Sequence, residues 1–144
     1  MSHGPAVTLH TDGGSRGNPG PAGAGYVILD AAGEVLAEEG VYLGEMTNNQ
    51  AEYRALVLGL RAAERFAPSA VQVKMDSELI VRQMQGLYRV RDAGLRPLYE
   101  EASKLAQALP QVSFTHVRRH LNRRADALVN RALDAHQRGA GGNH

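Results

Sequence analysis

Four of the 15 carboxylates in this 144-residue chain stand where solubility alone does not explain an acid: Asp12, Glu52, Asp76 and Asp126. Asp12 closes the alternating run Val7-Thr8-Leu9-His10-Thr11-Asp12, which reads as a strand. Asp76 closes a second, β-branched run that starts at Ala70. In open α/β sheets, sites gather beyond the carboxyl ends of parallel strands, so acids delivered there can converge. Glu52 falls in the first turn of an expected helix, and Leu56, Leu60 and Ala63 follow on its face. It thus extends an apolar stripe towards the sheet. Asp126 does the same, with Val129 and Leu133 on its face. An acid on an inward stripe is costly unless it is paired or holds a cation. Glu34, Glu100 and Glu101, by contrast, sit among polar residues and read as solvated.

Singly, each of the four has a plainer explanation. Glu52 and Asp126 could compensate a helix dipole, worth about 0.3–1 kcal/mol, and Asp12 and Asp76 could be strand-end turn residues. Four acids on four elements, all expected on the same side, weaken those explanations jointly. The chain has no Cys, and its His residues are not clustered near the acids. Oxygen donors without thiolate or grouped imidazole point to Mg2+ or Mn2+ rather than zinc. A carboxylate cluster holding two such ions suits phosphoryl chemistry: one activates water, the other stabilises the leaving oxygen.

The elements that must deliver these acids can be read in order. Residues 7–12, 24–30 and 34–42 read as strands, and the short 31–33 link suits a hairpin, so the three form an antiparallel meander. Residues 13–23 hold five glycines and two prolines and read as loop. A helix over 51–66 is capped by Asn48 or Asn49 and ended by Pro68. A strand at 70–76 follows, then a short helix capped by Ser77 and running to about Gln85. After a polar connection at 89–94 come a helix at 95–109, a strand at 112–118, and a last helix capped by Asn122 and running to about Gln137. The order βββαβααβα implies an α/β fold. Its mixed five-stranded sheet has three antiparallel strands, then two parallel ones, with helices packed on it. Residues 1–138 are expected to form one domain, and 139–144 a disordered glycine-rich tail.

Composition narrows the classes. Hydrophobic content of 43% and charged content of 22% suit a globular protein. With no run of about 18 apolar residues and no charged-then-apolar leader, the expectation is a cytoplasmic protein without a membrane span. Charge is unevenly placed. Residues 1–78 carry 5 basic and 10 acidic side chains, and residues 79–144 carry 11 and 5. A basic half suits a polyanion, although an arginine-rich solvated helix face would look the same. Trp is absent and Phe occurs twice, so stacking platforms for bases are few.

Two further segments complete the picture. Thr11-Asp12-Gly13-Gly14-Ser15-Arg16-Gly17-Asn18-Pro19-Gly20 is glycine-rich but lacks the Gly-Lys-Ser/Thr ending of a phosphate loop. Its glycines would let a bulky substrate backbone come close. Thr47-Asn48-Asn49 sits at a helix N-terminus, where free N–H groups suit a phosphate or a groove edge; capping alone would occupy one of the three.

With Met75-Asp76-Ser77-Glu78 and Asn122-Arg123-Arg124-Ala125-Asp126, these segments make the chain resemble the type 1 ribonucleases H over residues 7–135. The resemblance implies a ribonuclease H-like fold. It also implies an endonuclease that cuts the RNA strand of RNA–DNA hybrids by two-metal-ion hydrolysis, leaving 5′-phosphate and 3′-hydroxyl ends. Asp12, Glu52, Asp76 and Asp126 match the metal-binding acids, for Mg2+ or Mn2+, with two ions per site when substrate is bound. Gly13, Gly14, Asn18, Thr47, Asn48 and Asn49 fall in the stretches that meet the hybrid. Two features depart from the pattern. Many members carry a basic, tryptophan-rich protrusion; here Gly86-Leu87-Tyr88-Arg89-Val90-Arg91 leads almost directly into the next helix, leaving Arg82, Arg89, Arg91 and Arg96 as candidate contacts. The loop before the fourth acid is short, and His120 is the candidate for the histidine thought to aid proton transfer or product release.

Two other readings stand beside this one. A duplex-DNA nuclease or strand-transfer enzyme of the same fold would need added DNA-binding segments. A catalytically silent module binding hybrids or double-stranded RNA would be expected to lack at least one acid. A monomer with a hybrid partner, no membrane and no obligatory protein partner is the expectation.

Overall fold

A computed structural model describes residues 4–141. The elements follow the expected order: β1 (Val7–Ser15), β2 (Gly20–Leu29), β3 (Val35–Met46), α1 (Asn48–Glu64), β4 (Val71–Met75), α2 (Glu78–Met84), α3 (Arg96–Ala108), β5 (Val112–His116), a 3-10 turn (Arg119–Leu121) and α4 (Arg123–Gly141). The sheet order is β3-β2-β1-β4-β5. β1, β2 and β3 pair antiparallel, whereas β4 pairs parallel with both β1 and β5. β1 is therefore central, with the hairpin on one side and the crossover strands on the other.

Side-chain alternation divides the two faces. Val7 and Leu9 of β1 pack with Tyr53, Leu56 and Leu60 of α1 and with Val73, Met75 and Ile80 in the larger core. On the other face α4 covers the hairpin, where Val27 meets Ala125 and Leu128. His10 points to this side and hydrogen-bonds Asn122, which immediately precedes α4.

Several boundaries differ from expectation. β3 runs on to Met46 rather than ending at residue 42, and β5 stops at His116 rather than at residue 118. Residues 13–15 and 20–23 are not loop: Asp12 pairs with Gly25, Gly13 with Ala24, Gly14 with Gly23 and Ser15 with Ala22, so only residues 16–19 turn. Glycine weakens a strand locally, but the antiparallel ladder and close-packed helices hold this one in place. Asp12 consequently lies inside β1, not at its end. The cap of α1 is Thr47 rather than Asn48 or Asn49: Gln50 N–H donates to Thr47 Oγ1 at 3.2 Å and Thr47 N–H donates to Gln50 Oε1 at 2.9 Å. This reciprocal capping box starts α1 early and moves Glu52 from the first turn into the second. Before α4, the Asn122 side chain is committed to β1, with Nδ2 donating to the Thr11 carbonyl at 2.8 Å and Oδ1 accepting from His10 Nδ1 at 3.2 Å. Finally, α4 runs through residues 139–141, which were expected to begin the tail; 142–144 lie outside the described residues. Glycine disfavours a helix but does not forbid one. No helix among the described residues is long and apolar enough to cross a membrane.

Candidate active site

The three acids from β1, α1 and the end of β4 converge. Asp12, Glu52 and Asp76 each present a carboxylate oxygen, and the three oxygens lie within 4.8 Å of one another. Asp12 is 7% exposed and Glu52 6%. A bare Cα makes this convergence feasible at two places. A Cβ on Gly13 would lie 2.2 Å from the Ala51 carbonyl oxygen, so only glycine lets α1 sit this close to β1. The Gly13 N–H then donates to Glu52 Oε1 at 2.8 Å. Gly25, paired with Asp12, does the same for α4: a Cβ there would lie 2.5 Å from the Ala125 carbonyl oxygen. Asp126 follows directly and lines the same cleft, of about 380 Å³, with its side chain partly exposed. Its negative charge adds to those that raise the Asp12 carboxyl.

Packing anions this tightly penalises their charge. Burial, then the charges of Glu52 and Asp76, raises the Asp12 carboxyl to about 9. Burial raises Glu52 to about 8, against the opposing Gly13 hydrogen bond. Asp76 is also raised by burial, with its backbone hydrogen bond and Arg119 opposing. A buried all-oxygen donor set that cannot hold its own charge fits a hard divalent cation, which would supply the missing positive charge.

Comparison with known proteins agrees with this geometry. A family model described as reverse transcriptase-like matches residues 10–132. The chain is 44% identical over 128 residues to the ribonuclease HI of Halobacterium salinarum, covering 89% of this chain and 64% of that protein. It is 36% identical over 148 residues to the ribonuclease H of Bordetella pertussis, covering 92% of each. The chain belongs to the type 1 ribonuclease H family. Among solved structures, the chain resembles LC11-RNase H1 in complex with RNA/DNA hybrid, with a TM-score of 0.88, 45% identity, and 91% of this chain and 99% of that chain covered. It spans less than two thirds of the archaeal relative's length.

The other expected site residues are placed unevenly. Gly14 and Asn48 line the acid cleft. Asn18 Oδ1 accepts from Asn48 N–H at 3.0 Å, and Asn48 Oδ1 accepts from Ser15 N–H at 3.2 Å, joining the turn after β1 to the start of α1. Gly13 also lines the cleft, and its bare Cα lets α1 approach β1. Thr47 is engaged in the capping box, and Asn49 lies in the first turn of α1. His120 is exposed on the 3-10 turn and shares a shallow cleft with Arg119, Arg123 and Asp126. Arg89 and Arg91 are exposed between α2 and α3, and neither lines the acid cleft. Sequence reasoning missed Arg16 and Asn130, which line the cleft beside Asp126. Arg16 lies in a glycine-rich motif, and nothing local marks its partners Asn130 and Asp134, more than 100 residues away.

Proposed function

We propose that this chain is an endonuclease that hydrolyses the RNA strand of RNA–DNA hybrids and leaves 5′-phosphate and 3′-hydroxyl ends. Asp12, Glu52, Asp76 and Asp126 would hold two divalent ions, Mg2+ or Mn2+, with substrate bound. The observation that carries this reading is the carboxylate trio of buried Asp12 and Glu52 with half-buried Asp76, its oxygens within 4.8 Å, in an open cleft. Bound there, such ions supply Lewis-acid activation of water and stabilise charge on the leaving oxygen.

The chain's own residues supply position and recognition. The Gly13 N–H fixes the orientation of Glu52, and Asp126, from the opposite face of the sheet, reaches the cleft. Asn18 and Asn48 use their side-chain oxygens internally, which leaves both amide NH2 groups as donors. Donors at that edge suit 2′-hydroxyls and base acceptors in the wide minor groove of an A-like duplex, with Gly14, Thr47 and Asn49 alongside. His120, which shares a shallow cleft with Asp126, would move a proton at the leaving group or help release product. Arg89 and Arg91 would meet the hybrid backbone away from the cut.

The test is cleavage of end-labelled RNA offered in four forms: a hybrid, an RNA duplex, a single strand, and one ribonucleotide in a DNA duplex. Each is run with Mg2+, with Mn2+ and with chelator. Metal-dependent cutting of the hybrid is the expected result. Hybrid binding without cutting under either metal would make the chain a silent binding module and overturn the proposal.

A further inference from the structure

We infer that Arg16, Asn130 and Asp134 form a relay that positions the Asp126 carboxylate and ties it to the turn carrying Asn18, an inference that rests on the reaction proposed above.

Asp126 differs from the other acids. Its side chain is 31% exposed, and its one ion-pair partner among the described residues, Arg119 at 3.7 Å, is itself 80% exposed. A partly exposed carboxylate in the first turn of a helix needs a fixed partner if it is to keep one orientation. Asn130, one turn further along α4, is that partner: its Nδ2 donates to the Asp126 carbonyl at 3.1 Å and to Oδ2 at 3.4 Å.

An amide alone does not fix its own direction. Rotated by half a turn, Asn130 would present oxygen to oxygen. Arg16 removes that option. Its Nη2 donates to Asn130 Oδ1 at 3.4 Å, so the amide NH2 must face Asp126. The guanidinium is itself held by the next turns of the same α4 face, with Nη2 2.7 Å from Asp134 Oδ1 and Nη1 donating to Gln137 Oε1 at 2.6 Å. A planar fork serves several acceptors at once, which a lysine ammonium at the end of a flexible stem would not match.

Arg16 also belongs to the other half of the site. It is the first residue after β1, and its N–H donates to the Pro21 carbonyl at 2.8 Å, closing the turn that presents Asn18 to Asn48. One side chain thereby links the edge proposed to read the hybrid with the acid proposed to take part in cutting it. Arg16, Asn130 and Asp134 are positioning residues in this account, not catalytic ones.

The test uses Arg16→Ala, Asp134→Asn and the double variant of the full chain. Mn2+ affinity is read without substrate, and kcat and KM are read on a hybrid. Loss of such outer partners costs 10–100-fold in metal affinity or activity, so each single variant should weaken Mn2+ binding and lower kcat by roughly 10-fold. The double variant should be no worse than the worse single one, because both break the same relay. Melting temperatures should stay close to wild type, since the pair is partly exposed. Asp134→Asn keeps the guanidinium in the cleft. If Arg16 instead grips a phosphate directly, Asp134→Asn will leave Mn2+ affinity and kcat unchanged, and the relay is refuted. Additive losses in the double variant, or a fall in melting temperature with Mn2+ affinity intact, also refute it. A wild-type chain that binds Mn2+ but cuts no hybrid overturns the proposed function, while the Mn2+ affinities still decide the relay.

Discussion

Replacing Asp12 by Asn should make the metal-free protein more stable, an unusual outcome for a change at a buried polar residue. Asp12 ionises near 3.8 in an ordinary setting, but burial and the charges of Glu52 and Asp76 raise it to about 9. Below about pH 4 the carboxyl is protonated in both folded and unfolded chains, and there is no penalty. As pH rises, the unfolded chain releases the proton and the folded chain retains it. Stability is then lost at about 1.4 kcal/mol per pH unit until the folded group also ionises near 9. At about pH 7 the ceiling for Asp12 alone is roughly 4 kcal/mol. Because protons are shared across the trio, a gain of about 2–4 kcal/mol is expected on removing this acid, equivalent to roughly 5–15 °C in Tm. Asn keeps the shape and never carries the charge. The assay is thermal and urea unfolding of both proteins in chelator at about pH 4 and pH 7. The two should coincide at the lower pH and separate at the higher one, with Asp12→Asn the more stable. Saturating Mg2+ should narrow the gap, because it stabilises the wild type through binding. If Asp12→Asn is no more stable than wild type at about pH 7 in chelator, the crowded-anion reading of the cleft is wrong.

Three other outcomes are expected. Gly13→Ala places a methyl 2.2 Å from the Ala51 carbonyl oxygen, so it should destabilise the fold by about 1–3 kcal/mol in urea unfolding and lower cleavage by displacing Glu52. His120→Ala should slow turnover without abolishing it; identical rates throughout about pH 6–9 would make His120 a surface histidine only. Arg89→Ala with Arg91→Ala should weaken hybrid binding and reduce the slope of log affinity against log salt by up to about 2, whereas an unchanged slope would place the contacts elsewhere.

Much of the site could be read from residues whose neighbours along the chain reveal their direction. Glu52 and Asp126 each sit on an apolar stripe, and helix periodicity alone turns them inward. Asp76 follows a β-branched strand and precedes a Ser cap, so its place at a strand end is locally encoded. What could not be read depends on partners distant in sequence. Gly13, Gly14, Gly20 and Gly23 carry a strong loop signal, yet they lie in β1 and β2, where Gly13 and Gly23 face the close-packed α1 and α4. Three adjacent residues could each have capped α1, and the choice of Thr47 depends on Gln50 reaching back. Asn122 has the composition of a cap, but its amide is held by β1, 111 residues earlier. Arg16 pairs with Asp134 and Asn130 only once the sheet has formed and α4 has docked on the hairpin.

The central claim is that the trio Asp12, Glu52 and Asp76 is where hybrids are cut. It is tested most directly by comparing wild type with Asp76→Asn for both hybrid binding and single-turnover cleavage, with Mg2+ and with chelator. The substitution removes a charge and keeps the shape, so the variant should hold its circular dichroism spectrum and still bind hybrid, but make no cut. Wild type should cut with metal and stop with chelator. Cleavage by Asp76→Asn at the wild-type rate would contradict the account and move the chemistry out of this cleft.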